Sequence, residues 1–110
     1  MFEKKPIEHT TLLLLGLLSS GDMYGYQMIT ELERRSDQTF KMKEGTLYPV
    51  LKKMENSGYV KAYTEEVAGR TRKYYHISGK GLELLKHEEK EWREYSHGIN
   101  SVLGGAFIPA

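Results

Sequence analysis

Between Leu12 and Leu18 the chain reads LLLLGLL, six leucines in seven positions. Wound at 3.6 residues per turn, that run places leucine on every side of a helix. Such a helix has no face to give to water, so it must be a central core helix or be shared between chains. A helix is expected over Ile7–Ser19. A secretory leader is the competing reading, but Glu3 and Glu8 interrupt the positive start and no small-residue cleavage pattern follows. The run is also far too short to span a bilayer. A cytoplasmic chain is the expectation, with no membrane partner.

The length of 110 residues suits one domain with a modest core, and 39% hydrophobic with 28% charged residues is ordinary for a globular chain. There is no cysteine, which excludes disulfides and thiolate metal sites. After the turn-forming SSGDMYG, Tyr26, Ile29 and Leu32 repeat at helical spacing and predict a second helix over about residues 26–35. Thr39–Lys41 reads as a very short strand. A third helix follows, with Leu47, Val50, Leu51 and Met54 at i, i+3, i+4 and i+7. Pro49 fits only in a first turn, which sets the helix start near Gly45-Thr46 with Thr46 as N-cap. Gly58 is the expected stop.

Beyond Gly58 the period changes to two. Tyr59–Val67 and Thr71–Ile77 predict a hairpin with Gly69 in its turn. From about Lys80 to Leu103 a long fourth helix is expected. The fold class is therefore mainly α with a small β-hairpin: a winged helix-turn-helix over residues 1–79, a C-terminal helix over 80–104 in the same compact unit, and a tail over 105–110.

Net charge is only +1, but its distribution is uneven. Residues 41–79 hold eight Lys/Arg against four Asp/Glu, a net of +4, while the flanking segments net −2 and −1. Lys52 and Lys53 face away from the apolar stripe of the third helix, Lys41 and Lys43 precede it, and Arg70, Arg72 and Lys73 lie at or beside the hairpin tip. Two basic patches where a helix and a wing meet one duplex suit phosphate neutralisation. The N–H groups around Gly45-Thr46 suit a phosphate, and the Tyr48 hydroxyl a phosphate or sugar. Two solvated basic faces without a ligand are the bland alternative.

The segments GYQMITEL (Gly25–Leu32), EGTLYPVLKKMENSGYV (Glu44–Val60) and GRTRKYYHISGKG (Gly69–Gly81) resemble the PadR family of bacterial transcriptional regulators. With the leading LLLLGLLSSGDMYGY, the likeness spans nearly the whole chain, and the single C-terminal helix looks like the short subgroup. Met54 and Tyr59 depart from the aliphatic residues more usual there, and the tail GGAFIPA has no counterpart. The resemblance implies a homodimer on a pseudo-palindromic DNA operator, most often repressing, and adds Tyr26 to the DNA-binding set.

Leu82, Leu85, Glu89, Trp92, Ser96, Ile99 and Leu103 follow a heptad spacing. Two polar positions and Gly98 leave the seam too weak for a free-standing coiled coil, so a helix lying on its own core competes with a dimer seam. The resemblance favours the dimer, formed by this helix and the first, with Leu12 and Leu15. It also implies that Trp92, the sole tryptophan, lines a cavity between subunits where a small planar aromatic effector stacks. On the heptad spacing, Glu89 and Ser96 lie one turn to either side of Trp92 on the same face and would give that slot polar edges, Glu89 favouring cationic compounds, with Leu12 as a further candidate effector contact. A packing role for Trp92 is the alternative.

No cofactor or metal is expected, and no enzyme. His9, His76, His87 and His97 lack metal-ligand spacing, HEEKEW is a charged helix face, and no phosphate loop or nucleophile elbow is present. From another class, a winged-helix protein-interaction adaptor that never binds DNA remains the alternative function.

Overall fold

The computed structural model describes residues 7–104. Its elements run α1 (Thr10–Leu18), β1 (Met23–Tyr24), α2 (Gly25–Arg35), α3 (Glu44–Asn56), β2 (Val60–Val67), β3 (Arg70–Ile77) and α4 (Gly79–Val102). Order and kinds of helix agree with the sequence reading, and the winged helix-turn-helix with its long last helix is what the chain forms. The tail from residue 105 and the charged residues before Ile7 lie outside the described residues.

The leucine helix divides its duties. Leu14, Leu15, Leu17 and Leu18 are buried in a core shared with Met28, Leu32, Leu47, Leu51, Val60 and Ile77. Leu12 and Leu13 remain half-exposed beside a shallow apolar groove of about 410 Å³, which Leu17, Leu32 and Phe40 also line. The helix starts three residues later than expected because His9 takes a left-handed conformation, φ 61°.

The expected strand at Thr39–Lys41 does not form. Asp37 and Gln38 both have positive φ, and the Phe40 N–H donates to the Ser36 hydroxyl at 3.0 Å, so the segment turns instead of running beside the hairpin. The third strand is β1, whose Met23 and Tyr24 pair antiparallel with Tyr75 and Tyr74 in the order β1-β3-β2. A two-residue turn at Ala68-Gly69, φ 52° and 78°, joins β2 to β3. Positive φ at both positions is the turn whose twist matches a hairpin.

α3 begins one turn earlier than the sequence suggested. Lys43 is its N-cap with no side-chain bond, Glu44 opens the first turn near the positive end of the dipole, and Thr46 is the third helical residue, not the cap. Pro49 consequently lies in the second turn, where the bond from its position to the Gly45 carbonyl is forgone. The apolar stripe still holds the helix to the core through Leu47, Leu51 and Met54.

The end of α3 and the start of α4 are joined. Ser78 caps α4 by accepting from the Gly81 N–H at 3.1 Å, while its own hydroxyl donates to the Gly58 carbonyl at 2.6 Å. Lys80 donates to the Ser57 carbonyl at 2.8 Å. Gly81 is buried against Tyr59, where an added Cβ would stand 2.2 Å from the carbonyl oxygen.

Candidate nucleic-acid interface

α3 presents Gly45, Thr46, Tyr48, Pro49, Lys52 and Lys53 to solvent, because its stripe of buried residues commits the opposite side to the core. Lys41 and Lys43 are exposed on either side of buried Met42. Among the described residues, no ion pair engages Lys41, Lys43, Lys52, Lys53 or Arg70. At the start of α3 the Thr46 N–H is already taken by the Lys43 carbonyl at 3.0 Å. The N–H groups left without an intrahelical acceptor are those of Glu44 and Gly45, one residue earlier than the sequence indicated. The Glu44 carboxylate there tempers the positive field.

Tyr48 does more than face outward. Its phenol end abuts the first turn of α2, so that a Cβ on Gly25 would meet the hydroxyl oxygen at 2.4 Å. Burial, then Glu44 and Tyr75, pushes its pKa up, and the group stays a neutral donor. Tyr26, next to Gly25, is exposed and takes no part in the core; Met28 and Leu32 form the buried side of α2.

The wing differs from a simple basic tip. Arg72 lies 4.2 Å from the centre of the Tyr24 ring, and Lys73 is 3.9 Å from the Glu55 carboxylate of α3. Across the ladder Glu65 stands opposite Arg72 and Thr64 opposite Lys73. Of the three wing cations, only Arg70 projects without a partner among the described residues. Tyr24, Tyr63 and Tyr74 form one aromatic row on the outer face, with Tyr63 and Tyr74 stacked at 5.7 Å. Tyr63 donates to Asp22 at 2.6 Å, and His76 meets the same carboxylate at 2.7 Å. The sequence reading missed this row because its members come from three strands, one of them two residues long.

On α4 the heptad positions separate. Leu85 packs on the protomer's own core, and Leu15 of α1 is 0% exposed. Leu15 therefore serves the protomer's interior, a correction to its assignment to a dimer surface, while Leu85 is only partly buried and keeps part of its side chain open. Leu82, Trp92, Ile99 and Leu103 are exposed, joined by Tyr95 and by Val102 at 87% exposure. Tyr95 and Val102 fall outside a strict heptad and were not anticipated. Trp92 stacks on Tyr95, centroids 6.2 Å apart, and tilts against His9 at 5.2 Å. Glu89 is paired with Arg93, and the Ser96 hydroxyl donates to the Arg93 carbonyl at 3.2 Å. Among the described residues no cluster of His, Asp or Glu suits a metal, and no helix is long and apolar enough to cross a membrane.

Comparison with known proteins places these features in context. Residues 14–87 match the model of the transcriptional regulator PadR-like family. An uncharacterised protein of Lysinibacillus sphaericus is 35% identical over 98 residues, covering 88% of this chain and 90% of that protein. A PadR family transcription regulator from Clostridium difficile superposes with a TM-score of 0.75 at 33% identity, covering 84% of this chain and 96% of the other. A transcriptional regulator from Clostridium thermocellum gives a TM-score of 0.75 at 29% identity, covering 91% and 94%.

Proposed function

The chain belongs to the PadR-like family of transcriptional regulators, and from that premise we propose that it acts in the cytoplasm as a homodimeric repressor, with α3 in the major groove of a pseudo-palindromic operator. The observation that carries this reading is the face of α3. Its lysines are exposed and, among the described residues, unpaired, next to helix N–H groups and beside a wing that ends in Arg70. Unpaired cations are free to displace the counterions of a duplex, which supplies most of the affinity.

The dimer is supported by the stripe Trp92, Tyr95, Ile99 and Val102 together with the open groove at Leu12 and Leu13. Apolar faces of that kind mark association surfaces. A two-fold dimer sets its two recognition helices about 34–36 Å apart, one turn of the duplex. A small planar aromatic effector stacking at Trp92 would bias that spacing only by its differential affinity for two arrangements. The join between α4 and α3 through Lys80, Ser78 and Gly81 gives a movement of α4 a rigid route to the recognition helix.

Fluorescence anisotropy with the duplex upstream of the protein's own gene tests the reading. Saturable binding that weakens steeply with salt is expected. Absence of duplex binding at every salt concentration would instead favour a protein-interaction adaptor.

A further inference from the structure

We propose that Gly45, Thr46 and Pro49 are the base-reading surface of α3 and that what they read is the 5-methyl group of thymine. The inference rests on the DNA-binding reading above and names the base feature that site recognises.

Recognition helices read base edges with the residues of their N-terminal part. In the first two turns of α3 the exposed positions are Glu44, Gly45, Thr46, Tyr48 and Pro49. None is arginine, lysine, asparagine or glutamine, the side chains that grip guanine or adenine with two hydrogen bonds, and Glu44, whose carboxylate could accept only from a cytosine amino group, stands at the very first position of the helix beside Lys43. Tyr48 is laid against Gly25 of α2, which turns its ring toward the neighbouring helix. What remains is the methyl and hydroxyl of Thr46 and the pyrrolidine ring of Pro49, three positions apart and so on one face. The threonine methyl and the proline ring are compact and apolar, and the one apolar feature in the major groove is the thymine methyl. Lys41, Lys43, Lys52 and Lys53 surround this patch as cations for the backbone.

Two residues at this place are otherwise poor choices. Pro49 forgoes a helix hydrogen bond at an exposed position where the core does not use its ring. Gly45 weakens a helix, yet its φ is not positive and a Cβ there would meet nothing within 4 Å. Neither backbone conformation nor internal packing asks for glycine. A bare α-carbon is useful if a surface outside the protein comes close, and the edge of a groove is such a surface. Gly25 and Gly81 differ, since each is filled against by Tyr48 or Tyr59 of this same chain; Gly16, Gly79 and Gly98 are as open as Gly45, which is set apart by its place on the exposed start of α3.

The test begins with duplexes selected from a random pool by the intact protein. Half-sites with fixed thymines are expected. Replacing each fixed thymine by uracil, which removes only the methyl, should weaken binding about fourfold at a contacted position, the worth of one buried methyl-sized group. Thr46→Ser, which keeps the hydroxyl and loses the methyl, should abolish that discrimination at one position and leave the salt slope unchanged. Gly45→Ala should keep or raise the thermal midpoint while lowering affinity for the selected duplex at least about tenfold, a split that a structural glycine does not produce. Selected sites without fixed thymines, uracil accepted throughout, or Gly45→Ala binding like the parent would each overturn the proposal. If the parent enriches no duplex at all, the DNA-binding reading falls and takes this one with it.

Discussion

The ammonium of Lys80 stands 2.8 Å from the carbonyl oxygen of Ser57, so the first turn of α4 supplies a cation to the last turn of α3. The same ammonium lies 5.1 Å from the centre of the Tyr59 ring. A cation at that end of a helix opposes the negative pole of its dipole. Ser78 adds a second bond across the joint, to the Gly58 carbonyl, and Gly81 a seat with no clearance. The helix proposed to dimerise and the helix proposed to read DNA therefore share one rigid corner.

Gly81→Ala tests the rigidity of that corner. The added methyl would stand 2.2 Å from the Tyr59 carbonyl oxygen and 2.8 Å from Cγ1 of Ile77. Backbone cannot yield as a side chain does, so a loss of about 1–3 kcal/mol in denaturant unfolding is expected. Lys80→Met, which keeps the apolar stem, should cost about 0.3–1 kcal/mol. Parental stability in Gly81→Ala would mean that the two helices slide freely on one another.

The wing cations should differ in DNA binding. Lys52→Ala and Arg70→Ala each remove an unpaired charge and should lower the salt slope by about 1. Lys73→Ala should lower it by less, because its ammonium already faces Glu55 at 3.9 Å. Anisotropy titrations across a salt series measure all three. Equal slopes for Lys73→Ala and Arg70→Ala would show that Lys73 leaves Glu55 for a phosphate in the complex.

Local periodicity made the helices and the hairpin legible, since each buries one face at its own spacing. Leu47, Leu51 and Met54 announce α3 without help from the rest of the chain. Features created by tertiary contact were not legible. β1 holds two residues and exists only because Tyr74 and Tyr75 pair with it. Arg72 reads as a free cation until Tyr24 is placed beneath it. Leu12 and Leu15 look alike in the run of leucines, yet one is half-exposed and the other buried, because the direction of the core is not encoded in a helix apolar all round. α3 starts earlier than a Pro49 confined to a first turn would allow, because Glu44 and the core contacts of Leu47 outweigh one missing bond.

Stability should depend on pH through the outer face of the wing. The hydrogen bond to Asp22 pushes the Tyr63 phenol up to about 12. Its protonated form is favoured in the fold, so this contribution is complete below the ordinary phenol value of about 10 and is lost as pH rises through the folded value. Asp22 is held below its ordinary value by the Tyr63 hydroxyl first and by His76 as well. That contribution is present above about pH 4 and fades as pH falls through the folded value. Tyr63→Phe should therefore melt below the parent near neutrality, with the gap closing in acid as Asp22 takes up a proton. A gap that does not change with pH would assign Tyr63 to packing alone.

The exposed stripe on α4 predicts both association and a ligand preference. Val102→Glu with Ile99→Glu should turn a micromolar dimer into a monomer in sedimentation, since each would bury an unpaired charge at the seam. Trp92→Ala should leave the dimer and remove the ligand site. Trp92 is the only tryptophan, so its fluorescence reports that place alone, and a planar aromatic dye should quench it saturably. Its ring already tilts on His9 and stacks on Tyr95, and an entering ring would extend that stack at a centroid spacing of about 4.5–7 Å. The heptad reading gave Glu89 the task of selecting cations, but its carboxylate is paired with Arg93. Neutral and cationic dyes of one shape should therefore differ by no more than a few-fold. Arg93→Ala, by freeing that carboxylate, should widen the difference toward the cation. A strong cation preference in the parent would show that Arg93 turns away when the dimer forms, and no saturable quenching by either dye would return Trp92 to packing between subunits.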